Sequence, residues 1–177
     1  MAIISTATFR TVGSAGTPQN LFTLMNTGTN VTVNIRRLVM QMDATGVLTV
    51  VMPLVKASRI TAASAGTVLT KVAWDSTDPS HASVEARGAT ASDGGALTTI
   101  TATAGVAMWQ QYGFRLHTAV GQVLGLDNNV LSSITETYPV VLRQNEGVLV
   151  QIIAAAGTSN PATNHYFVQA AWDEVPV

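Results

Sequence analysis

"NIRRLVMQMD", residues 34–43, breaks the alternation of apolar and polar side chains that runs on either side of it. Upstream, apolar side chains occupy odd positions: Val31, Val33 and Ile35. From Leu38 they occupy even ones: Leu38, Met40 and Met42. Successive side chains of a β-strand point to opposite faces, so a slip of one residue exchanges the buried face for the solvent face. The slip falls on Arg36-Arg37, and two readings account for it. One is a β-bulge, an extra residue that lets both apolar sets return to the same core. The other is an unbulged strand buried on both faces. Either way two arginines sit in mid-strand, where each guanidinium pairs with a carboxylate of its own chain or reaches a neighbouring subunit.

Period two recurs along the chain. "NHYFVQAAWDE" sets Tyr166, Val168, Ala170 and Trp172 in one row, and "TVLTKVAW" sets Val68, Thr70, Val72 and Trp74 in another. "GVLVQIIAA" aligns Val148, Val150 and Ile152, with Leu149 and Ile153 making its second face apolar too. "VAMWQQYGFRL" places Val106, Met108, Tyr112, Phe114 and Leu116 on one face, with Trp109, Gln111 and Arg115 on the other. Each row reads as the core face of a strand, and abundant Val, Ile and Thr suit a pleated, half-buried surface. Turn clusters such as "GSAGTPQN", "NTGTN", "DSTDPS", "SDGG" and "GTSNPATN" separate the rows. About ten short strands with turns this regular predict an all-β antiparallel sandwich or barrel. The nearest approach to a helical stripe, "HTAVGQVLGL", carries two glycines and predicts at most one loose turn. Residues 1–19 read as an N-terminal strand, or as an arm able to add to a neighbour's sheet edge. Residues 20–177 read as a single domain.

The charge content is low. Of 177 residues, 11% are charged, against about 25% in ordinary soluble domains. Nine Lys/Arg and ten Asp/Glu give a net charge of -1, which lacks the basic excess of a nucleic-acid binder. Soluble monomers usually keep apart through surface charge. A neutral exterior rich in Thr, Ala, Ser and Asn therefore points to a surface covered by copies of the chain or by a scaffold; a monomer with a bland polar surface is the alternative. Cysteine is absent, so neither disulfides nor thiolate metal sites are expected. The start of the chain has no secretory pattern, and no apolar run reaches the roughly 18 residues of a membrane span. A soluble protein made in a cytoplasm is the expectation.

Motifs for chemistry are missing. His81, His117 and His165 are isolated, without the close His pair and carboxylate of a metal site. Asp75 and Asp78 flank a turn, and Asp127–Asn129 fall short of a calcium loop's oxygen rhythm. There is no P-loop, GxGxxG, GxSxG or HExxH. No cofactor, no metal and no enzymatic activity are expected.

"RRLVMQMD", "VKASRIT", "ARGATASDGG", "WQQYGFRLHTAVGQVL", "DNNVL" and "SNPATNHYFVQAAW" resemble segments of small virion structural proteins of tailed bacteriophages. The resemblance covers about Leu21 to Trp172 and involves no catalytic residue. It implies a jelly-roll-like β-sandwich that decorates or cements a capsid from outside. The implied partner is the major capsid protein, and the implied assembly is a homo-oligomer, in particular a trimer over junctions between capsomers. A neck, tail or baseplate adaptor of the same kind of virion would share this composition. So would a carbohydrate- or receptor-binding module, which needs an exposed aromatic shelf. Trp109 is the candidate for that shelf, because Trp74 and Trp172 fall in rows read as buried. By residue type, since Arg and Trp are enriched at interface hot spots, the candidate interface residues are Arg36, Arg37, Arg59, Trp109 and Arg115.

Overall fold

The computed structural model describes residues 3–12, 18–44, 54–77, 79–90, 97–112, 124–129, 139–153 and 164–177. They form strands and loops, with no helix among them, so no described helix could cross a membrane. Fourteen strands are present among the described residues: β1 (Ile3–Val12), β2 (Gln19–Asn26), β3 (Val31–Ala44), β4 (Leu54–Ile60), β5 (Ala63–Ala65), β6 (Thr67–Val68), β7 (Val72–Ala73), β8 (Val84–Gly88), β9 (Ile100–Ala102), β10 (Ala107–Tyr112), β11 (Leu124–Asn129), β12 (Val140–Leu142), β13 (Glu146–Ile153) and β14 (Asn164–Pro176). Several have only two or three residues, which is why the turn signals pointed to fewer.

The pairing runs in reverse order. β1 pairs with β14, β2 with β13, β3 with β11 and β12, and β4 with β10, all antiparallel. The two halves of this ribbon alternate between two sheets. One sheet has the order β11-β3-β14-β1-β7, with β12 also on β3; the other runs β10-β4-β13-β2-β8-β6. The chain is thus an all-β antiparallel sandwich. Its N-terminal segment is one of the strands: β1 pairs with β14 residue for residue from Ile3↔Glu174 to Val12↔His165.

The bulge reading of residues 34–43 holds. Along β14, Ala171 pairs with Arg37 and Trp172 with Ile35, which leaves Arg36 as the extra residue of β3. Val31, Val33 and Ile35 before it, and Leu38 and Met40 after it, all belong to one core cluster. That core also holds Tyr166, Val168, Ala170 and Trp172 from β14 and Val148, Val150 and Ile152 from β13. Phe9 of β1 and Phe22 of β2 stack across the sandwich with ring centres 6.1 Å apart. The second apolar row of β13 is used as well. Leu149 packs with Met25 and Ile60 on the outer face of the second sheet, where Ala63 and Ala102 of the small β5–β9 sheet cover them.

Two rows differ from expectation. Val68, Val72 and Trp74 are exposed at 56%, 58% and 72%, while Leu69 is the buried member of that stretch. Alternation shows that two rows differ; it does not show which one faces inward. Lys71, which reads as the solvent side, turns its ammonium onto the backbone carbonyls of His81 and Val84. The row opposite it is the outer one. Val106 precedes β10 and is 83% exposed. A register irregularity between Ala107 and Trp109 separates it from Met108, which packs on the core. Within "HTAVGQVLGL", residues 117–123 lie outside the described set and Leu124–Leu126 are strand.

Thr23, Leu149 and Ser58 lie side by side across the second sheet, all fully buried. The hydroxyls of Thr23 and Ser58 have no hydrogen-bond partner among the described residues. A buried hydroxyl without a partner pays its desolvation with no return, about 1–3 kcal/mol. Thr23→Val keeps the shape and removes the hydroxyl. It is expected to raise stability by about 1 kcal/mol, read from the urea midpoint; a lower midpoint would mean that the hydroxyl is satisfied.

Candidate functional site

A regular strand cannot place two consecutive side chains on one face. The bulge at Arg36 does so. Arg36 and Arg37 are both exposed and line the same groove, of about 260 Å³, on the outer face of the first sheet. Its remaining walls are Ile4 and Thr6 of β1, Gln169, Ala171 and Asp173 of β14, and Trp74 just after β7. A second groove of about 450 Å³ adjoins it at Gln169 and reaches Arg10 and Phe167. There the Arg10 guanidinium lies 5.6 Å from the Phe167 ring centre. Bulges are over-represented beside functional sites because they re-aim side chains in this way.

The two arginines are not equivalent. Arg36 is tied through Nε and Nη2 to Oδ2 of Asp173, whose side chain is only 9% exposed. This intramolecular pair was one of the readings open for the arginines. Arg37 has no hydrogen bond or ion pair among the described residues. Arg36→Ala leaves a nearly buried carboxylate without its partner and is expected to lower stability by about 1–2 kcal/mol. Arg37→Ala should change it by less than about 0.5 kcal/mol. Urea denaturation of the two variants checks this; equal losses would contradict the assignment.

Trp74 is held in place from several sides. Its backbone N–H donates to the Ile4 carbonyl at 2.9 Å, continuing the β1–β7 ladder. Directly after it, Oδ1 of Asp75 accepts from Thr77 Oγ1 at 2.7 Å and Thr77 N–H at 2.9 Å. This closes an Asx turn and holds the Asp75 carboxyl below its ordinary pKa. The "DSTDPS" expectation is met at Asp75; Asp78 lies outside the described residues. Further on, the segment is fixed to Glu174, which is fully buried. Its carboxylate accepts from Ser80 Oγ and the His81 N–H, each at 2.5 Å, and from Trp172 Nε1 at 2.8 Å. Lys71 ties the other side of the loop, its Nζ donating to the His81 carbonyl at 2.7 Å. Burial pushes the Lys71 ammonium below its ordinary pKa, while the negative charges of Glu174 and Glu85 oppose that shift.

The remaining candidates lie elsewhere. Arg59 is on β4 of the second sheet, 3.5 Å from Glu146 Oε2, beside a separate groove with Ile60, Thr103 and Val106. The backbone of Trp109 pairs with Ala57 at the edge of the second sheet, but its side chain lies outside the described residues, as does Arg115 altogether. Of the predicted set, Arg36 and Arg37 are the pair brought together among the described residues. Trp74, read from sequence as a core residue, is the functional candidate that sequence reasoning missed.

The described histidines are engaged locally. His165 Nδ1 accepts from Arg10 Nη2 at 2.9 Å, and His81 Nδ1 lies 2.6 Å from Ser83 Oγ; His117 lies outside the described residues. Every carboxylate whose side chain is described has a structural partner. Asp75 has Thr77, Glu85 has Arg87, Glu146 has Arg59 and the Arg143 N–H, Asp173 has Arg36, and Glu174 has the donors given above. Among the described residues no three His, Asp or Glu side chains converge as a metal-binding group. Compared with protein-family models, with curated proteins and with solved structures, the chain matches none of them.

Proposed function

We propose that the chain is a non-enzymatic structural protein of a tailed-bacteriophage virion. In this reading it decorates or cements the outside of the capsid by binding the major capsid protein across capsomer junctions, as a homo-oligomer, with a trimer favoured. The observation that carries it is the apolar edge of the first sheet, where Trp74, Val72 and Ile4 stand 72%, 58% and 41% exposed side by side. Contiguous apolar surface of this kind marks contact with another macromolecule. The low charge content supports the same reading, because it leaves little electrostatic cost to covering the surface. So does the reverse-order ribbon of paired strands, which we read as the doubly wound jelly roll shared by viral capsid and lectin domains. Light scattering on the chromatographed protein tests the self-association. A stable trimer is expected, and a clean monomer at high concentration would remove that half of the proposal.

A second reading, a carbohydrate- or receptor-binding module of the virion, is favoured by one observation. Such a module needs an exposed aromatic shelf, and Trp74 supplies it beside polar side chains on a rigid sheet.

A further inference from the structure

We propose that the groove beside the bulge binds a sugar ring bearing a carboxylate, with Trp74 as its stacking surface and Arg37 as the partner of its charge. This deepens the second reading above and rests on it.

Charge complementarity supplies the first argument. The two grooves on the outer face of the first sheet are lined by Arg10, Arg36 and Arg37, three of the nine basic residues of the chain, and Asp173 is the one carboxylate among the residues lining them. Asp173 is committed to Arg36 and Arg10 to His165 and Phe167. The Arg37 fork, in the same groove as Arg36, has no partner among the described residues, which leaves its N–H donors to a ligand. A guanidinium matches a carboxylate with two parallel hydrogen bonds, which a single lysine cannot reproduce.

The second argument concerns the kind of molecule that carries the carboxylate. The groove lies on a sheet face, and the strands beneath it already pair with one another, β1 with β14 and β14 with β3. Among the described residues, an extended peptide recognised by strand addition would find a free backbone edge only at the two-residue strand β7, at the margin of the groove, and none along β1, β14 and β3 beneath it. Recognition falls to side chains: an indole, a guanidinium, the Gln169 amide and the Thr6 hydroxyl. This mixture suits a pyranose ring, whose C–H face lies against the negative π-face of an indole while its hydroxyls meet amide and hydroxyl groups. About 260 Å³ is a single-ring space, just below the usual range of small-molecule sites. The site is also pre-formed. Asp173 fixes Arg36, the Asx turn and the Ile4 carbonyl fix the backbone around Trp74, and Glu174 fixes the loop behind it. Preorganisation lowers the cost of ordering a site on binding.

The test is calorimetric titration with a short oligosaccharide containing glucuronate and with the same oligosaccharide after reduction of its carboxyls to alcohols. A glutamate-rich peptide is titrated in parallel. The acidic sugar is expected to bind, and its reduced form to bind roughly tenfold more weakly or worse, as loss of a charge-assisted pair implies. Arg37→Ala should cost the acidic sugar the same factor and leave the reduced sugar unchanged. Trp74→Ala should weaken both, with thermal midpoints showing that the variants remain folded. Equal binding of the two sugars would overturn the carboxylate assignment and leave the glycan reading standing. No binding of either sugar to the folded protein would overturn both. Arg37-dependent binding of the peptide, without binding of sugar, would also overturn the proposal and make the groove a protein-docking surface.

Discussion

Glu174→Ala is expected to lower the stability of the protein by about 3–5 kcal/mol, the loss typical of breaking a buried charged network from one side. At about 2–4 °C per kcal/mol for a chain of this size, that is a fall of roughly 6–20 °C in Tm. Glu174 is fully buried and accepts from Ser80 Oγ, the His81 N–H and Trp172 Nε1. Alanine strands the indole and amide donors in the interior and removes the negative charge that opposes the desolvation of Lys71. Glu174→Gln keeps one acceptor but turns an NH2 toward a donor, so an intermediate loss is expected. The loop behind Trp74 should loosen along with the global loss, and faster amide exchange at His81 would report it. A fall in stability below about 1 kcal/mol would show that the carboxylate holds nothing of consequence.

Deleting Arg36 is expected to be tolerated, although it removes a residue from the middle of the 14-residue strand β3. Arg36 is the extra residue of the bulge, and its neighbours Ile35 and Arg37 already face consecutive residues of β14, Trp172 and Ala171. Without it the alternation becomes regular: Ile35 in, Arg37 out, Leu38 in, Val39 out, Met40 in. The loss should be limited to the Asp173 pair, about 1–2 kcal/mol, and Arg37 is placed to replace part of it. Deleting Asn34 instead removes no core side chain but disturbs the faces. Either the bulge vanishes and Arg36 turns into the core, or the apolar row before it turns outward. That variant is expected not to fold. Circular dichroism and urea denaturation of the two deletions make the comparison, and equal tolerance, or equal failure, would contradict the bulge as the cause of the slip.

The sandwich was legible because its core strands alternate cleanly. Tyr166, Val168, Ala170 and Trp172 of β14 and Val148, Val150 and Ile152 of β13 reach the core as their spacing predicts. The parity slip at the arginines was legible for the same reason. It left two readings, which only the pairing of β3 with β14 separates. The groove was half legible. Arg36 and Arg37 stood out as large groups in a charge-poor chain, but nothing local announced that Asp173, 137 residues away, would hold one and leave the other. Trp74 was misplaced for a physical reason. Its row is more apolar than the row opposite, and the inward position of Lys71 depends on carbonyls of His81 and Val84 brought near by tertiary folding. Arg59 sits on the other sheet because β4 pairs with β13, a consequence of strand order that residue type does not carry.

The proposal that this chain is a structural part of a virion is tested by quantitative mass spectrometry of purified phage particles from the host in which the chain is made. The chain is expected in many copies per particle, at a fixed ratio to the major capsid protein, retained after removal of tails and of packaged DNA. Its absence from purified particles, in cells where it is abundantly made, would overturn the virion assignment.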